Sequence, residues 1–194
     1  MKSKWAETIE TLATALLLAT IIRATAADAR EIPSESMLPT LEVGDRLVVE
    51  KVSRYFETPH FGDIVVFRPP ASAGLGASDG WLDQLGFGKI PLIKRVIGVP
   101  GDRIAVRNGT VYRNGKPLQE RYIKEAPRYE LPDPWASNFQ GAGEVVVPKG
   151  DLFVMGDNRN NSMDSHVWGF LPKDRVLGRA VFRYWPLNRL GVVH

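Results

Sequence analysis

From residue 46 onward the chain alternates short apolar runs with turn residues, which is the pattern of strands rather than of helices. Arg46–Val52, Asp63–Arg68, Leu92–Gly98, Leu152–Met155 and Val176–Trp185 are rich in Val, Ile, Phe and Tyr and are predicted strands. The strongest local signal is Arg103-Ile-Ala-Val-Arg107, then Asn108-Gly109, then Thr110-Val-Tyr-Arg113. An Asn-Gly pair between alternating segments suits a two-residue turn with positive φ, so a hairpin is predicted there. Asn114-Gly115 marks a second tight turn directly after it. No amphipathic helical segment separates these strands, which disfavours parallel βαβ architecture. The expected fold is mainly β: an antiparallel, barrel-like domain with a single N-terminal helix.

That helix follows from the opening residues. Lys2 and Lys4 precede an apolar run from about Leu12 to Ile22, closed by Arg23. The uninterrupted run falls short of the roughly 20 residues that span a bilayer, but reaches that length if Arg23 snorkels and the helix continues to Ala27. A buried helix, a cleaved signal peptide and an uncleaved anchor all fit this composition. Ala24-Thr25-Ala26 and Ala27-Asp28-Ala29 both have the small-x-small form of a cut site. Read as an anchor, the segment divides the chain into a cytoplasmic start (1–11), a membrane span (12–28) and an outer domain (30–194).

Two stretches break the strand pattern with Pro, Gly and Ser: residues 69–91 and 126–143. The first carries Trp81, Leu82, Leu85 and Phe87, and is either a flap on the core or a tip that touches membrane.

Composition removes several function classes. With 25 basic and 22 acidic residues the net charge is +3 and no basic stripe stands out, so nucleic acid is not an expected partner. There is no cysteine, which excludes thiol catalysis, thiolate metal sites and disulfides. Three histidines (His60, His166, His194) without ligand-like spacing suggest no metal site.

Three clusters could carry chemistry. The segment from Ile32 to Thr40 holds Ser34 and Ser36 between Pro33 and Pro39; alone it reads as a loop. Lys94 and Arg95 lie inside the apolar run Leu92–Gly98, where strand alternation aims them at opposite faces. A lysine in such a run usually meets solvent. Facing inward, it would lose stability as the ammonium and become available as a neutral base. Finally, Asp157 to Ser165 is a polar run directly after a buried-looking strand, either a solvated loop or a fixed hydrogen-bonded network.

Together and in this order, the clusters resemble bacterial type I signal peptidases, membrane-bound serine endopeptidases of the Ser/Lys kind. The resemblance spans Ile32–Pro186 through Ser-x-Ser-Met-x-Pro-Thr, Gly62-Asp63-Ile-Val-Val-Phe, Lys94-Arg95-Val-Ile-Gly, and Gly156-Asp157-Asn158-Arg159 followed by Asn161-Ser162-x-Asp164-Ser165. It implies Ser36 as nucleophile and Lys94 as general base, with Ser34 and the Ser36 N–H forming the oxyanion site. Ser162 would orient the lysine amine, and Asp157, Asp164 and Arg95 would form a supporting ionic network. It also implies an uncleaved anchor in the plasma membrane, a cytoplasmic N-terminus and an extracytoplasmic catalytic domain. Signal peptides of secreted preproteins and membrane lipid are the implied partners, a monomer suffices, and no cofactor is required.

Two departures stand out. The family's Asp-Ser-Arg reads Asp164-Ser165-His166 here, which makes one pairing cation titratable. Glu35 places a charge beside the nucleophile and is expected to point outward. Two rivals remain: a self-cleaving repressor-type Ser/Lys protease, which calls for a DNA-binding or soluble N-terminus, and a catalytically dead membrane-tethered module that binds peptides.

Overall fold

The computed structural model describes residues 4–74, 91–131 and 143–194. Helix α1 (Lys4–Thr25) leads into a mainly β domain. Its strands are β1 (Ala27–Glu31), β2 (Arg46–Glu50), β3 (Ile64–Phe67), β4 (Leu92–Gly98), β5 (Arg103–Arg107), β6 (Thr110–Arg113), β7 (Lys116–Pro117), β8 (Val145–Val146) and β9 (Asp151–Met155). After the short helix α2 (Ser165–Trp168) come β10 (Leu171–Pro172), β11 (Val176–Trp185) and β12 (Gly191–Val192).

Among the described residues all pairings are antiparallel. The larger sheet runs β1-β2-β11-β3-β4-β9-β10, with β12 also on β11, as a curled half-barrel rather than a closed one. The smaller sheet runs β7-β6-β5-β8. Strand β11 serves three partners, and register shifts at 176/178, 180/182 and 183/185 let it bend between them. Gly178 lies at one such bend because a β-carbon there would strike the Glu50 carbonyl of β2.

The core explains why the central strands read as continuous apolar runs. Ile64 and Val66 of β3 enter a cluster with Ile32, Met37, Leu41, Leu47 and Ile93. Val65 and Phe67, on the other face, enter a second with Val96, Leu152, Val154 and Trp168. A strand buried on both faces needs no polar alternation. Each such side chain contributes roughly 1.5–3 kcal/mol of burial. A third cluster joins Ile97, Phe153 and Met155 to Ile104, Val106 and Val111 of the smaller sheet.

The predicted hairpin forms, with Asn108 at φ 48° and Gly109 at φ 73°, and Asn114-Gly115 repeats the geometry between β6 and β7. The excursion from 126 begins packed: Leu131 is buried and bridges Val106. Trp81, Leu82, Leu85 and Phe87 lie outside the described residues.

The N-terminal segment differs from the expected 12–28 span. The helix starts at Lys4, and residues 27 and 28 belong to β1, because the Lys51 N–H captures the Ala26 carbonyl and β1 then pairs with β2 from Ala27↔Glu50 onward. Among the described residues no helix is long and apolar enough to cross a membrane. Trp5, Ile9, Leu12, Leu16, Leu17 and Leu18 are nonetheless exposed on α1. Its Thr14 and Thr20 hydroxyls donate back to the Glu10 and Leu16 carbonyls, which satisfies both donors within the helix.

Candidate active site

Ser36 sits in a single 3-10 turn, Glu35–Met37, between β1 and β2. Met37 is fully buried in the first core cluster and fixes the turn from below, while Glu35 is exposed. The main chain is clamped from the far side: Asn158 N–H donates to the Ser36 carbonyl at 3.1 Å, and Asn158 Nδ2 donates to the Glu35 carbonyl at 3.1 Å. Ser36 is therefore buried, 8% exposed, although its turn lies at the edge of the core.

Lys94 reaches it from β4. Strand alternation puts Lys94 on the face of Leu92 and Val96, toward the second core cluster, and leaves it 3% exposed. Its Nζ donates to Ser36 Oγ at 2.7 Å and to the Ile93 carbonyl at 2.9 Å. Burial pulls the amine down to about 8, against the charges of Asp164 and Asp157, which oppose the shift.

The neighbouring Arg95 faces the other way and meets Asp157 with two parallel bonds, Nε to Oδ1 at 2.8 Å and Nη2 to Oδ2 at 2.7 Å. Thr40 Oγ1 donates to the same carboxylate at 2.5 Å. Arg95 also donates to the carbonyls of Gly62 and His194. Asp164 accepts from Gly156 N–H at 2.8 Å and His166 N–H at 3.1 Å, and its Oδ1 lies 2.7 Å from His166 Nδ1. Burial alone would raise this carboxyl, but His166 and the Gly156 N–H hold it below the usual carboxylate range. His166 is stacked on Tyr129 with ring centroids 4.0 Å apart.

The expected residues thus come together, with two differences. Ser162 Oγ is buried close to Asp164 and Gly156 but meets no partner at hydrogen-bond geometry, and the Lys94 amine bonds Ser36 and Ile93 instead. Ser34 is exposed, its Oγ 3.3 Å from Ser36 Oγ. Several contributors went unassigned in the sequence. Asn158 and Arg159 stood in the polar run without a role, although both are buried here. Arg159 pairs with Glu120 at 2.9 and 2.7 Å, and Tyr122 donates to Glu120 at 2.8 Å. Residues 120 and 122 follow a hairpin in a stretch with no periodicity, so nothing local pointed to them. Among the described residues no three His, Cys, Asp or Glu side chains gather as metal ligands.

The chemistry open to such an arrangement is proton transfer between a hydroxyl and an amine. At about 8 the amine is neutral in roughly one molecule in ten at pH 7, against roughly one in 3,000 for a lysine at its ordinary value. A neutral amine in hydrogen-bond contact with a serine hydroxyl can take its proton as the oxygen attacks a carbonyl.

Sequence comparison agrees with this geometry. A family profile described as signal peptidase, peptidase S26, matches residues 5–185. A Synechocystis sp. protein named probable signal peptidase I-1 is 52% identical over 185 residues, covering 95% of this chain and 85% of its own. Signal peptidase I of Leptolyngbya laminosa is 48% identical over 185 residues, covering 95% and 82%. A second Synechocystis sp. protein, probable signal peptidase I-2, is 44% identical over 192 residues, covering 99% and 78%. With a profile matched over nearly its whole length and relatives of this identity, the chain belongs to the signal peptidase family, peptidase S26.

Proposed function

We propose that this chain is a serine-type endopeptidase that removes signal peptides from exported preproteins, with Ser36 as nucleophile and Lys94 as its general base. The observation that carries the reading is the 2.7 Å contact between Lys94 Nζ and Ser36 Oγ, with the lysine buried and its amine held near 8. In the neutral state the hydroxyl donates to the amine. As Oγ attacks the carbonyl carbon, its proton passes to Nζ, and the carbonyl oxygen becomes an oxyanion facing Ser34 Oγ and the Ser36 N–H. The ammonium then protonates the leaving amine, the C–N bond breaks, and an acyl-enzyme on Ser36 remains. Water, deprotonated by the again neutral Lys94, hydrolyses that ester.

The substrate lies extended beside the turn, with small side chains one and three residues before the cut. Helix α1 tethers the enzyme to the membrane through its exposed leucines, with the N-terminus cytoplasmic and the β domain on the side where exported chains emerge. Asp157, Asp164 and Arg95 fix the turn and the strand against each other. The enzyme works as a monomer.

The test is cleavage of a purified preprotein by the full chain in detergent, with the product N-terminus read by mass spectrometry. Cutting after a small-x-small sequence, lost in Ser36→Ala and in Lys94→Arg, is the expected result. Wild-type turnover by Lys94→Arg would refute the assignment, because a guanidinium cannot serve as the base.

A further inference from the structure

Behind Ser36 and Lys94 lie two buried ion pairs, Arg95 with Asp157 and Arg159 with Glu120. Both guanidiniums lie over one aromatic ring, that of Tyr122: the Arg95 Cζ is 4.0 Å from its centroid and the Arg159 Cζ 6.0 Å. The ring is itself tied down, since Tyr122 Oη donates to Glu120 Oε1, the oxygen that also accepts from Arg159 Nη2. Its flanks are held too, because Ile123 bridges Pro39 and the Lys124 N–H donates to the Asp157 carbonyl at 3.0 Å.

Those contacts converge on the turn from Gly156 to Arg159. Arg159 Nε donates to the Gly156 carbonyl at 3.0 Å, Arg95 holds the Asp157 side chain, and Asn158 reaches the Ser36 carbonyl. Two like charges are brought to one place in a water-poor interior, and the electron-rich face of an aromatic ring is what attracts both. We propose that Tyr122 is a positioning residue for this site: its ring keeps Arg95 seated on Asp157 and, through Arg159, holds the 156–159 turn against Ser36.

The consequence reaches Lys94 by charge. Asp157 and Asp164 are the carboxylates that act on the Lys94 amine, with Arg95 neutralising the first and His166 Nδ1 lying 2.7 Å from the second. The groups facing Tyr122 are Arg95, Arg159 and Glu120, with Asp157 beyond Arg95. When the ring is lost, Arg95 sits less firmly on Asp157. More of that carboxylate's negative charge is then felt at Lys94, and the neutral amine becomes scarcer at a given pH. This inference rests on the assignment of Lys94 as the base.

The experiment is the pH profile of kcat/KM for peptide cleavage by the full chain in detergent, for wild type, Tyr122→Leu and Tyr122→Phe, with thermal midpoints in parallel. Wild type should show an acid limb near 8. In Tyr122→Leu the limb should move up by about half to one pH unit, a loss of roughly three- to tenfold at pH 7 that is recovered well above the limb. Tyr122→Phe keeps the ring and should leave the limb in place. Should the leucine variant not fold, Tyr122→Met fills the gap with a pliable chain that likewise lacks an aromatic face, and carries the same expectation. An unmoved limb in the ring-less variant, or a phenylalanine variant displaced as far as leucine, overturns the proposal while leaving the base assignment intact. No limb near 8 in the wild type would instead overturn the base assignment, and this inference with it.

Discussion

The Ser36 carbonyl oxygen lies where a β-carbon on Gly156 would have to go, and the Ser162 side chain crowds the same space, its Cβ 2.7 Å from that position. The glycine is required by close approach rather than by a positive φ, since two backbone segments, the serine turn and the end of β9, are pressed together there. A methyl group would push the serine turn off the lysine. Gly156→Ala should therefore lose at least a hundredfold in kcat while remaining folded, because near-attack geometry tolerates little displacement. Wild-type kcat in a folded Gly156→Ala protein would show that the two segments need not touch.

The pair of Lys94 and Ser36 predicts a second result. On the proposed assignment, Lys94→Arg and Ser36→Ala should each reduce cleavage to background, and the double variant should be no worse than either, because nucleophile and base would act as one unit. Multiplicative losses in the double variant would mean that they act independently.

Much of this was legible in the chain because the deciding signals are local. Asn108-Gly109 names its turn by the positive φ that it tolerates, and the apolar run Leu92–Gly98 carries Lys94 and Arg95 to opposite faces whatever lies around it. Strand β1, Ala27-Asp-Ala-Arg-Glu31, was not legible. It has no β-branched or aromatic residue and is a strand only because β2 supplies its ladder. The same holds for the Arg159–Glu120 pair, whose members are 39 residues apart in sequence and meet only once the chain has folded. The resemblance gives Ser162 to the amine, whereas the amine's hydrogen bonds go to Ser36 and to its own strand's carbonyl.

The Arg95–Asp157 pair, 3% and 0% exposed, predicts a large stability loss when one member is removed. Asp157→Ala should destabilise the fold by roughly 3–5 kcal/mol, since it leaves a buried guanidinium without its counter-charge. The exposed Arg46–Glu31 pair is the control, and Glu31→Ala should cost under about 1 kcal/mol. Urea unfolding of the three proteins checks the contrast, and equal losses would count against it.

Strand β1 decides where the enzyme can cut another copy of itself. Ala24-Thr25-Ala26 runs out of the last helical turn, with Thr25 exposed, whereas Ala27-Asp28-Ala29 is paired residue by residue with Glu50, Val49 and Val48. Cutting after Ala26 needs only the last helical turn to fray, whereas cutting after Ala29 needs β1 to leave β2, so slow cutting between molecules in concentrated detergent solution should fall after Ala26 and leave β1 whole. Mass spectrometry should find a product beginning at Ala27. One beginning at Arg30 would mean that β1 opens readily.

The buried amine finally predicts how stability depends on pH. Lys94 binds its proton less tightly in the folded protein, with a value near 8, than in the unfolded chain, where it returns to its ordinary 10.5. Between those values the unfolded state holds more protons than the folded state, so stability rises with pH across that window. Below 8 both states are charged, and the folded state carries the full cost of a desolvated ammonium, on the order of 3 kcal/mol for such a difference in proton affinity. Methionine has nearly the same shape without the charge. Lys94→Met should therefore be more stable than wild type at pH 7, by up to about 3 kcal/mol less the two hydrogen bonds lost at Ser36 and Ile93, each worth about 1 kcal/mol. Its advantage should shrink as pH rises from 8 toward 10.5, where the wild-type amine is neutral in the fold. Paired urea unfolding curves at pH 7 and pH 10 measure this directly. A constant difference between the two proteins at both pH values would mean that the Lys94 amine is not desolvated, and the argument for its acting as a base would fall with it.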